Sequence, residues 1–312
     1  MSARPSRKWL ALAALTAGGC AGGGIGATAG RRDIDFRQLE TALRERIAAE
    51  PGGEVGVTLI DLGGGHRIDI AADLEMHAAS TMKVPVLYEL FRQAESGGLA
   101  LDDPIPVVNA FRSIADSTIY ALSPADDSDS TLYLRVGGRA TPRELAQLMI
   151  ARSSNLATNI LIERLGAARV QETMNAIGAG GMRVLRGVED GPAFRRGLNN
   201  TTTAAGLAAA LEAIARCRGI AREACEALTG MLLAQEFNEM IPAGLPPGTA
   251  VAHKTGWITG IRHDGAIVFP PSSPPFVLVI LTRGVVTEAA AARLAADLAR
   301  LAWDALGGPD RS

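Results

Sequence analysis

The stretch STMKVPVLYELF, residues 80–91, opens with polar residues and continues with apolar residues that predict a buried helix. Pro85 is compatible with that helix, since the first turn leaves backbone N–H groups without partners. Ser80 and Lys83 are three positions apart and therefore share one helical face. Burial would lower the pKa of Lys83, and the helix N-terminus would favour negative charge near Ser80. The pair is thus a candidate nucleophile and base, although Ser-x-x-Lys also occurs by chance as an N-cap followed by a solvated lysine.

The hydrophobic pattern changes on both sides of this stretch. Residues 80–235 are mostly helical in pattern, whereas strands are predicted only towards the two ends of the chain. Helices are predicted at 33–50 and 288–306, and strands at 54–62, 67–72, 250–254, 265–269 and 276–283. The simplest fold class is α/β plus all-α, with one antiparallel sheet formed by both ends, flanked by the terminal helices, and an inserted helical domain.

The first thirty residues are assigned to export rather than to the fold. Arg4, Arg7 and Lys8 precede the short apolar stretch 9–17, as in a signal peptide. Cys20 follows Ala-Gly-Gly in a pattern similar to a bacterial lipobox, except that alanine stands where leucine is usual. We expect export to the periplasm, with either a lipid anchor at Cys20 or cleavage and release. A Gly-rich tether then leads to a catalytic domain, residues 31–312, with an α/β part at 31–79 and about 236–312 and a helical part at about 80–235.

Composition and charge exclude several classes of protein. A net charge of −2 over 312 residues, with no basic run, argues against a nucleic-acid partner. No two histidines have the spacing of a zinc site, so neither a metal nor another cofactor is expected. His263 and Asp264 are adjacent and could mimic a catalytic dyad. Cys217 and Cys225 could form a disulfide in an exported chain or remain free thiols.

Two further polar motifs follow the Ser-x-x-Lys pair. Ser153-Ser154-Asn155 lies between two predicted helices and offers a hydroxyl and a carboxamide two residues apart. Lys254-Thr255-Gly256 is placed at the end of a strand, where its polar groups could hold an anion and its glycine would permit close backbone approach. Alone, the first is explained as a helix cap and the second as a turn.

The three motifs together, in this order, resemble the signature of the serine β-lactamases. The resemblance extends from the hairpin before Ser80 to the strand after Asp264, and it includes Asn159 and the Thr-rich run at 201–203. It implies the fold of the class A β-lactamase and penicillin-binding-protein superfamily, which is similar to that of D,D-peptidases. The active site is then expected in the cleft between the helical and α/β parts.

The resemblance also implies a role for each matching residue. Ser80 would attack the acyl carbonyl, Lys83 would take its proton, and Ser153 would pass a proton to the departing nitrogen. Lys254 would tune the local field. Substrate would be held by the remaining residues: Asn155 at the amide side chain, Thr255, Lys254 and Arg262 at the carboxylate, and Gly256 and Trp257 along the strand. Backbone N–H groups of Ser80 and Trp257 would form the oxyanion hole. Arg262 could equally be a surface arginine.

The carboxylate that activates water for deacylation is less clearly placed. Aligning on Asn199 puts Arg195 at its position, and arginine cannot serve as a base. Aligning on the threonine run puts Glu189 there, beside Asp190, and we choose Glu189. With it, the chain is expected to be a monomeric β-lactamase (EC 3.5.2.6) whose partner is a small β-lactam. Without it, the alternatives are a D,D-peptidase or esterase with a peptidoglycan-like acyl substrate, or a slowly deacylating penicillin sensor.

Overall fold

Both ends of the chain contribute to one sheet in the computed structural model, which describes residues 34–307. Its helices are α1 (Phe36–Ala48), α2 (Lys83–Glu95), α3 (Pro142–Ala151), α4 (Asn155–Leu165), α5 (Ala167–Ala176), α6 (Gly191–Arg195), α7 (Ala204–Ala215), α8 (Arg222–Leu233) and α9 (Glu288–Leu306). Its strands are β1 (Glu54–Asp61), β2 (Arg67–Ile70), β3 (Met76–His77), β4 (Ile105–Pro106), β5 (Phe111–Arg112), β6 (Ile119–Tyr120), β7 (Arg139–Ala140), β8 (Met182–Arg183), β9 (Thr201–Thr202), β10 (Ala250–Ile258), β11 (Ile261–Phe269) and β12 (Phe276–Arg283). The antiparallel sheet, terminal helices and helical middle confirm the predicted fold class.

The main sheet has the strand order β10-β11-β12-β1-β2, and every neighbouring pair is antiparallel. Strands β10 and β11 form a hairpin that reaches Ile258 and Ile261, so the prediction that a strand ends at Lys254 was wrong. The error arose because Lys254 and Thr255 look like the polar end of a strand. Both are buried inside it instead, at 0% and 3% exposure, and this position makes β10 one wall of a site.

The sheet is covered on both faces, which explains why its strands are almost continuously apolar. Alternate residues of β12 point to opposite sides. Val279 and Leu281 pack in the core that includes α7, whereas Leu278 and Ile280 pack in the core that includes α1 and α9.

Helix α2 lies at the centre of the helical part. Its first eight residues, Lys83–Leu90, are all buried, and α3, α4, α5, α7 and α8 contact it. The strands between β2 and β10 are two residues long, as expected for the helical middle. Cys217, just after α7, and Cys225, in α8, form a disulfide, which is the first of the two alternatives left open by the sequence. Within residues 34–307, we find no helix long and apolar enough to cross a bilayer.

Candidate active site

Ser80 lies in a single 3₁₀ turn, Ala79–Met82, that leads directly into α2. Ala79 has a left-handed φ of 45°, an uncommon conformation for alanine that turns the chain sharply before Ser80. Ser80 is partly exposed and lines a cleft of about 400 Å³ together with Asn155, Glu189 and Trp257. A side chain on Gly256 would place its Cβ 3.0 Å from the Ser80 nitrogen. Glycine therefore allows β10 to approach the backbone of Ser80.

Lys83 is completely buried and contacts the Ser153-Ser154-Asn155 motif. Its Nζ donates to the Ser153 carbonyl oxygen at 2.6 Å and to Asn155 Oδ1 at 2.8 Å, and lies 3.1 Å from Ser153 Oγ. Burial lowers the pKa of Lys83 to about 7, against the opposing charges of Asp127 and Glu189. A neutral amine has two N–H donors, which the two carbonyl-type acceptors can take. Its lone pair is then free to receive a hydroxyl proton.

The turn between α3 and α4 presents Ser153 and Asn155 to Lys83. Ser153 is 2% exposed with a left-handed φ of 58°, and the side chain of Ser154 accepts the Ala157 N–H as the N-cap of α4. Serine at position 154 is thus a helix cap that faces away from the chemistry. Ser153, by contrast, has its hydroxyl within reach of the Lys83 amine and can relay a proton from it.

Asp127 supports this turn and was missed by the sequence analysis. Its carboxylate accepts the backbone N–H of Asn155 at 2.9 Å and of Leu156 at 3.0 Å, and it accepts the hydroxyl of Tyr133 at 2.9 Å. The carboxylate lies at the N-terminus of α4, where negative charge is favoured. No local pattern could have identified it, because it comes from 28 residues earlier in the chain. Asp127 orients Asn155 and adds negative charge near Lys83.

Lys254 is the second buried amine at this site. Burial and the charge of Lys83 lower its pKa well below the usual value, while Asp264 opposes the shift. Its Nζ donates to the carbonyl oxygen of Thr255 at 3.0 Å. A positive charge on Lys83 therefore disfavours a second positive charge on Lys254, and the neutral form of Lys254 is favoured.

Thr255, Trp257 and Arg262 lie on one face of the β10–β11 hairpin. Arg262 is paired in register with Trp257, and its guanidinium lies 5.7 Å from the indole centroid. Its Nη2 also lies 3.4 Å from Glu288 Oε2. Thr255 Oγ1 and Arg262 Nε are buried without a hydrogen-bond partner, and both residues line a second cleft of about 260 Å³. Unpaired buried donors on one face suit a carboxylate ligand. A purely surface role for Arg262 does not explain this arrangement.

The loop that carries the predicted deacylating carboxylate is closed at its two ends. Asn200 Oδ1 accepts the N–H groups of Leu185 and Arg186, and Arg186 donates to the Leu198 carbonyl at 2.7 Å. Farther along, Asn159 holds the backbone of Val188 by both its groups: Oδ1 accepts the N–H at 2.6 Å, and Nδ2 donates to the carbonyl at 3.0 Å. These contacts fix the loop against α4.

The two adjacent carboxylates of this loop have different surroundings. Asp190 is 1% exposed and accepts hydrogen bonds from Ser113 Oγ, the Ile114 N–H and the Ala193 N–H. Glu189 is exposed, has a left-handed φ of 58° and lines the cleft with Ser80. Its charge raises the pKa of Lys83. Asp190 is thus a structural residue, and Glu189 is the carboxylate with access to water in the cleft.

Asp264 pairs with a different histidine from the one expected. His253 Nδ1 lies 3.0 Å from Asp264 Oδ1, and both residues are buried. The possible His263–Asp264 dyad does not form, because adjacent residues of a strand point to opposite faces. Asp264 also accepts the Ile241 N–H at 3.1 Å, which makes the His253–Asp264 pair a support for the segment after α8.

Comparison with known proteins gives a consistent result. The chain is 28% identical to a protein named beta-lactamase from Bacillus amyloliquefaciens, over 87% of this chain and 83% of that one. It is 26% identical to the carbapenem-hydrolyzing beta-lactamase KPC of Klebsiella oxytoca, over 80% and 85% of the two chains. The crystal structure of a beta-lactamase from Sphaerobacter thermophilus superposes with a TM-score of 0.74 at 27% identity, over 87% and 98%. The model of the beta-lactamase enzyme family matches residues 38–306, and the chain belongs to that family.

Proposed function

We propose that the protein is a β-lactamase that opens the β-lactam amide bond through an acyl-enzyme on Ser80. The observation that carries the proposal is the buried Lys83, with a pKa of about 7 and direct contacts to Ser153 and Asn155, one helical turn from an accessible serine. A lysine that is partly neutral near pH 7 can act as a base towards a hydroxyl. The similarity to proteins named beta-lactamases, which extends over most of their length, supports this reaction.

Acylation would use the residues of both walls of the cleft. The neutral amine of Lys83 takes the Ser80 proton, and Ser80 Oγ forms a bond to the lactam carbonyl carbon. Backbone N–H groups of Ser80 and Trp257 would stabilise the resulting oxyanion. As the C–N bond breaks, the proton passes from Lys83 through the Ser153 hydroxyl to the departing nitrogen, and Lys83 returns to its neutral form. The product is a ring-opened ester of Ser80.

Substrate would be positioned by groups that lack other partners. The ring carboxylate would bind between Thr255 and Arg262, whose buried Oγ1 and Nε are unpaired, with Lys254 nearby. The amide of the acyl side chain would accept a hydrogen bond from Asn155 Nδ2, since Oδ1 of that residue is already bound to Lys83. Gly256 and Trp257 would provide backbone groups along β10.

Deacylation would depend on Glu189. Its carboxylate would deprotonate a water molecule that attacks the ester, and the Ser80 hydroxyl would be regenerated. A specific observation also favours the second candidate, a slowly deacylating penicillin-binding esterase or peptidase. Within the described part of the chain, Glu189 makes no hydrogen bond or ion pair that would hold its carboxylate in one orientation. Its backbone is fixed only through hydrogen bonds of its two neighbours, Val188 and Asp190.

The lifetime of the acyl-enzyme distinguishes these two functions. Purified protein would be mixed with excess benzylpenicillin and its intact mass followed from milliseconds to hours by quenched-flow mass spectrometry. For a β-lactamase we expect the adduct to reach a steady level and to disappear once penicillin is consumed. An adduct that persists for hours after removal of free penicillin would instead support the slow hydrolase or sensor.

We also propose export to the periplasm, with Cys20 as the site of a lipid anchor or of nearby cleavage. The residues concerned, 1–30, lie outside the described range. Mass spectrometry of the protein from envelope fractions would reveal the mature N-terminus, and a fatty-acid probe lost in Cys20→Ala would establish lipidation. Intact Met1 in the exported protein would contradict the proposal. A monomer is expected, and light scattering would test it.

A further inference from the structure

His77 lies at the edge of the cleft and has no part in the mechanism above. Its ring lines the cleft with Ser80 and contacts Phe194 edge-on at a centroid distance of 6.2 Å. Its Nδ1 accepts the backbone N–H of Ala79 at 3.0 Å. A ring nitrogen that accepts a hydrogen bond carries no proton, so this contact requires the neutral tautomer with hydrogen on Nε2.

The backbone of His77 is held by a second histidine in the main sheet. The Nε2 of His263 lies 3.0 Å from the His77 carbonyl oxygen, while its Nδ1 lies 3.2 Å from the Thr282 nitrogen and 3.0 Å from the Arg262 carbonyl oxygen. Burial lowers the pKa of His263 to about 4, so the ring is neutral at pH 7, and a hydrogen on Nε2 lets it donate to His77 and accept the Thr282 N–H on Nδ1. A continuous series of hydrogen bonds runs from β12 through His263 and His77 to Ala79, the residue before Ser80.

We propose that His77 is a positioning residue for the nucleophile: its neutral ring holds the left-handed Ala79 and thereby fixes the backbone of Ser80 against β10. The inference rests on the proposed function only in taking Ser80 as the acylated residue.

The conformation of Ala79 makes this hold necessary. Alanine disfavours positive φ, and a single residue in that region persists only where its surroundings determine it. The His77 ring accepts the N–H of Ala79 itself, so it acts directly on the strained residue. A Cβ at position 256 would lie only 3.0 Å from the Ser80 nitrogen, so the backbone of Ser80 is packed closely against β10. A relaxed Ala79 would turn the Ser80 N–H away from the place where the oxyanion forms.

Protonation of His77 would remove the acceptor on Nδ1. The charged group that acts on the ring is Arg186, from the loop after β8, and the charged form of His77 would in turn lower the pKa of the titratable neighbour His263, on β11. Burial first, and then the positive charge of Arg186, lower the pKa of His77 below its usual value. The ring is therefore neutral at pH 7, and the contact is lost only as the pH falls through this lowered pKa.

The kinetic test compares wild type with His77→Asn and His77→Leu. Asparagine can present an oxygen near the position of Nδ1 and does not titrate, whereas leucine retains bulk without an acceptor. The second-order rate constant for acylation by a chromogenic cephalosporin would be measured by stopped flow from pH 4.5 to 8. At pH 7.5 we expect His77→Leu to lose roughly 10- to 100-fold in this constant. His77→Asn should recover most of that loss.

The acid limb of the pH profile separates positioning from a general structural role. Protonation of Lys83 alone gives the logarithm of the rate a slope of one, and protonation of His77 should remove a further factor of roughly 10- to 100-fold, so the acid limb of the wild type should be steeper than one as the pH falls through the pKa of His77. In His77→Asn, Lys83 is the one remaining group of the two that titrates, so the slope of the acid limb should be one. Equal rates for wild type and His77→Leu at pH 7.5, or equal slopes for wild type and His77→Asn, would overturn the proposal.

A measurement on the unmodified protein covers the case in which a variant does not fold. Two-dimensional ¹⁵N NMR of the imidazole rings would identify the tautomer of His77, which we expect to carry hydrogen on Nε2 at pH 7.5. A ring protonated on Nδ1 would overturn the proposal, whatever the activity. If the wild type is never acylated but the ring has the expected tautomer, the proposed function has failed while the His77–Ala79 contact stands.

Discussion

The Lys83 amine and the Ser153 hydroxyl, 70 residues apart in sequence, lie 3.1 Å from each other, and both side chains are buried. The pair joins the start of α2 to the turn between α3 and α4, so proton transfer from Ser80 towards a leaving nitrogen can occur without bulk water. Burial that lowers the pKa of Lys83 also excludes solvent from this path. The same packing thus favours the neutral form of Lys83, the proposed base, and shields it from solvent.

Acylation should therefore increase with pH in the range where Lys83 loses its proton. The reactive form is the neutral amine, so the rate should be low well below pH 7, rise through about 7 and level off above it. Lys83 and Lys254 are the only lysines of the described residues, which makes lysine-selective ¹³C labelling informative. NMR titration should show one Cε signal that shifts near pH 7. Two signals that titrate only above pH 10 would contradict this account.

Replacement of the base should affect acylation without removing the binding site. Lys83→Met is expected to slow acylation by roughly 10² to 10⁴, the usual contribution of general base catalysis. Binding of an unreacted β-lactam, measured by calorimetry, should change much less. Folding of the variant would be checked by circular dichroism, since Ser153 and Asn155 lose a donor. Acylation at the wild-type rate would exclude Lys83 as the base.

Glu189 should control only the second half of the reaction. Glu189→Gln is expected to acylate at nearly the wild-type rate and to lose roughly 10² to 10⁴ in deacylation, so that the adduct accumulates. Glu45→Gln, an exposed glutamate on α1, is the matched control and should behave as wild type. Single-turnover kinetics with benzylpenicillin would measure both steps. Unchanged turnover in Glu189→Gln would remove it from the mechanism.

Asp190 should behave differently from its neighbour. Its carboxylate accepts three hydrogen bonds in a buried position, so Asp190→Asn is expected to destabilise the protein by about 1 to 3 kcal/mol. Urea unfolding would measure this loss, which Glu189→Gln should not show. An Asp190→Asn variant that is fully stable and accumulates the acyl-enzyme would transfer the role of base to Asp190.

Arg262 should contribute mainly to recognition of the substrate carboxylate. Loss of one charge-assisted hydrogen bond costs about 1.5 to 3 kcal/mol, so Arg262→Ala is expected to lower kcat/KM roughly 10- to 100-fold. The matched substrate is a penicillin methyl ester, which lacks the anionic group. We expect wild type and Arg262→Ala to differ little on the ester. An equal loss on both substrates would indicate a structural role beside Trp257 and Glu288.

The sequence predicted the features of the site that depend on residues close together in the chain better than those that depend on distant segments. The start of α2, the turn at Ser153 and the apolar strands follow patterns within a few residues, and the fold class was predicted correctly. The end of β10 was not, because polar residues that enter a site inside a strand cannot be distinguished from a strand end. Asp127 and the histidine series His263–His77 depend on contacts between segments distant in sequence, and short-range patterns carry no information about such contacts. Glu189 was chosen over Asp190 from the alignment on the threonine run, and the burial of Asp190, which residue type could not reveal, agrees with that choice.

The central claim, that Ser80 is the residue acylated by β-lactams, is tested most directly by mass spectrometry. Wild type and Ser80→Ala would be incubated with benzylpenicillin, quenched in acid, digested and mapped. The account predicts a mass increase equal to one penicillin on the wild-type peptide that contains Ser80, and no adduct on Ser80→Ala. The account would be contradicted if the wild type, quenched within milliseconds, and the Glu189→Gln variant both stay unmodified. An adduct of equal yield on another residue of Ser80→Ala would also contradict it.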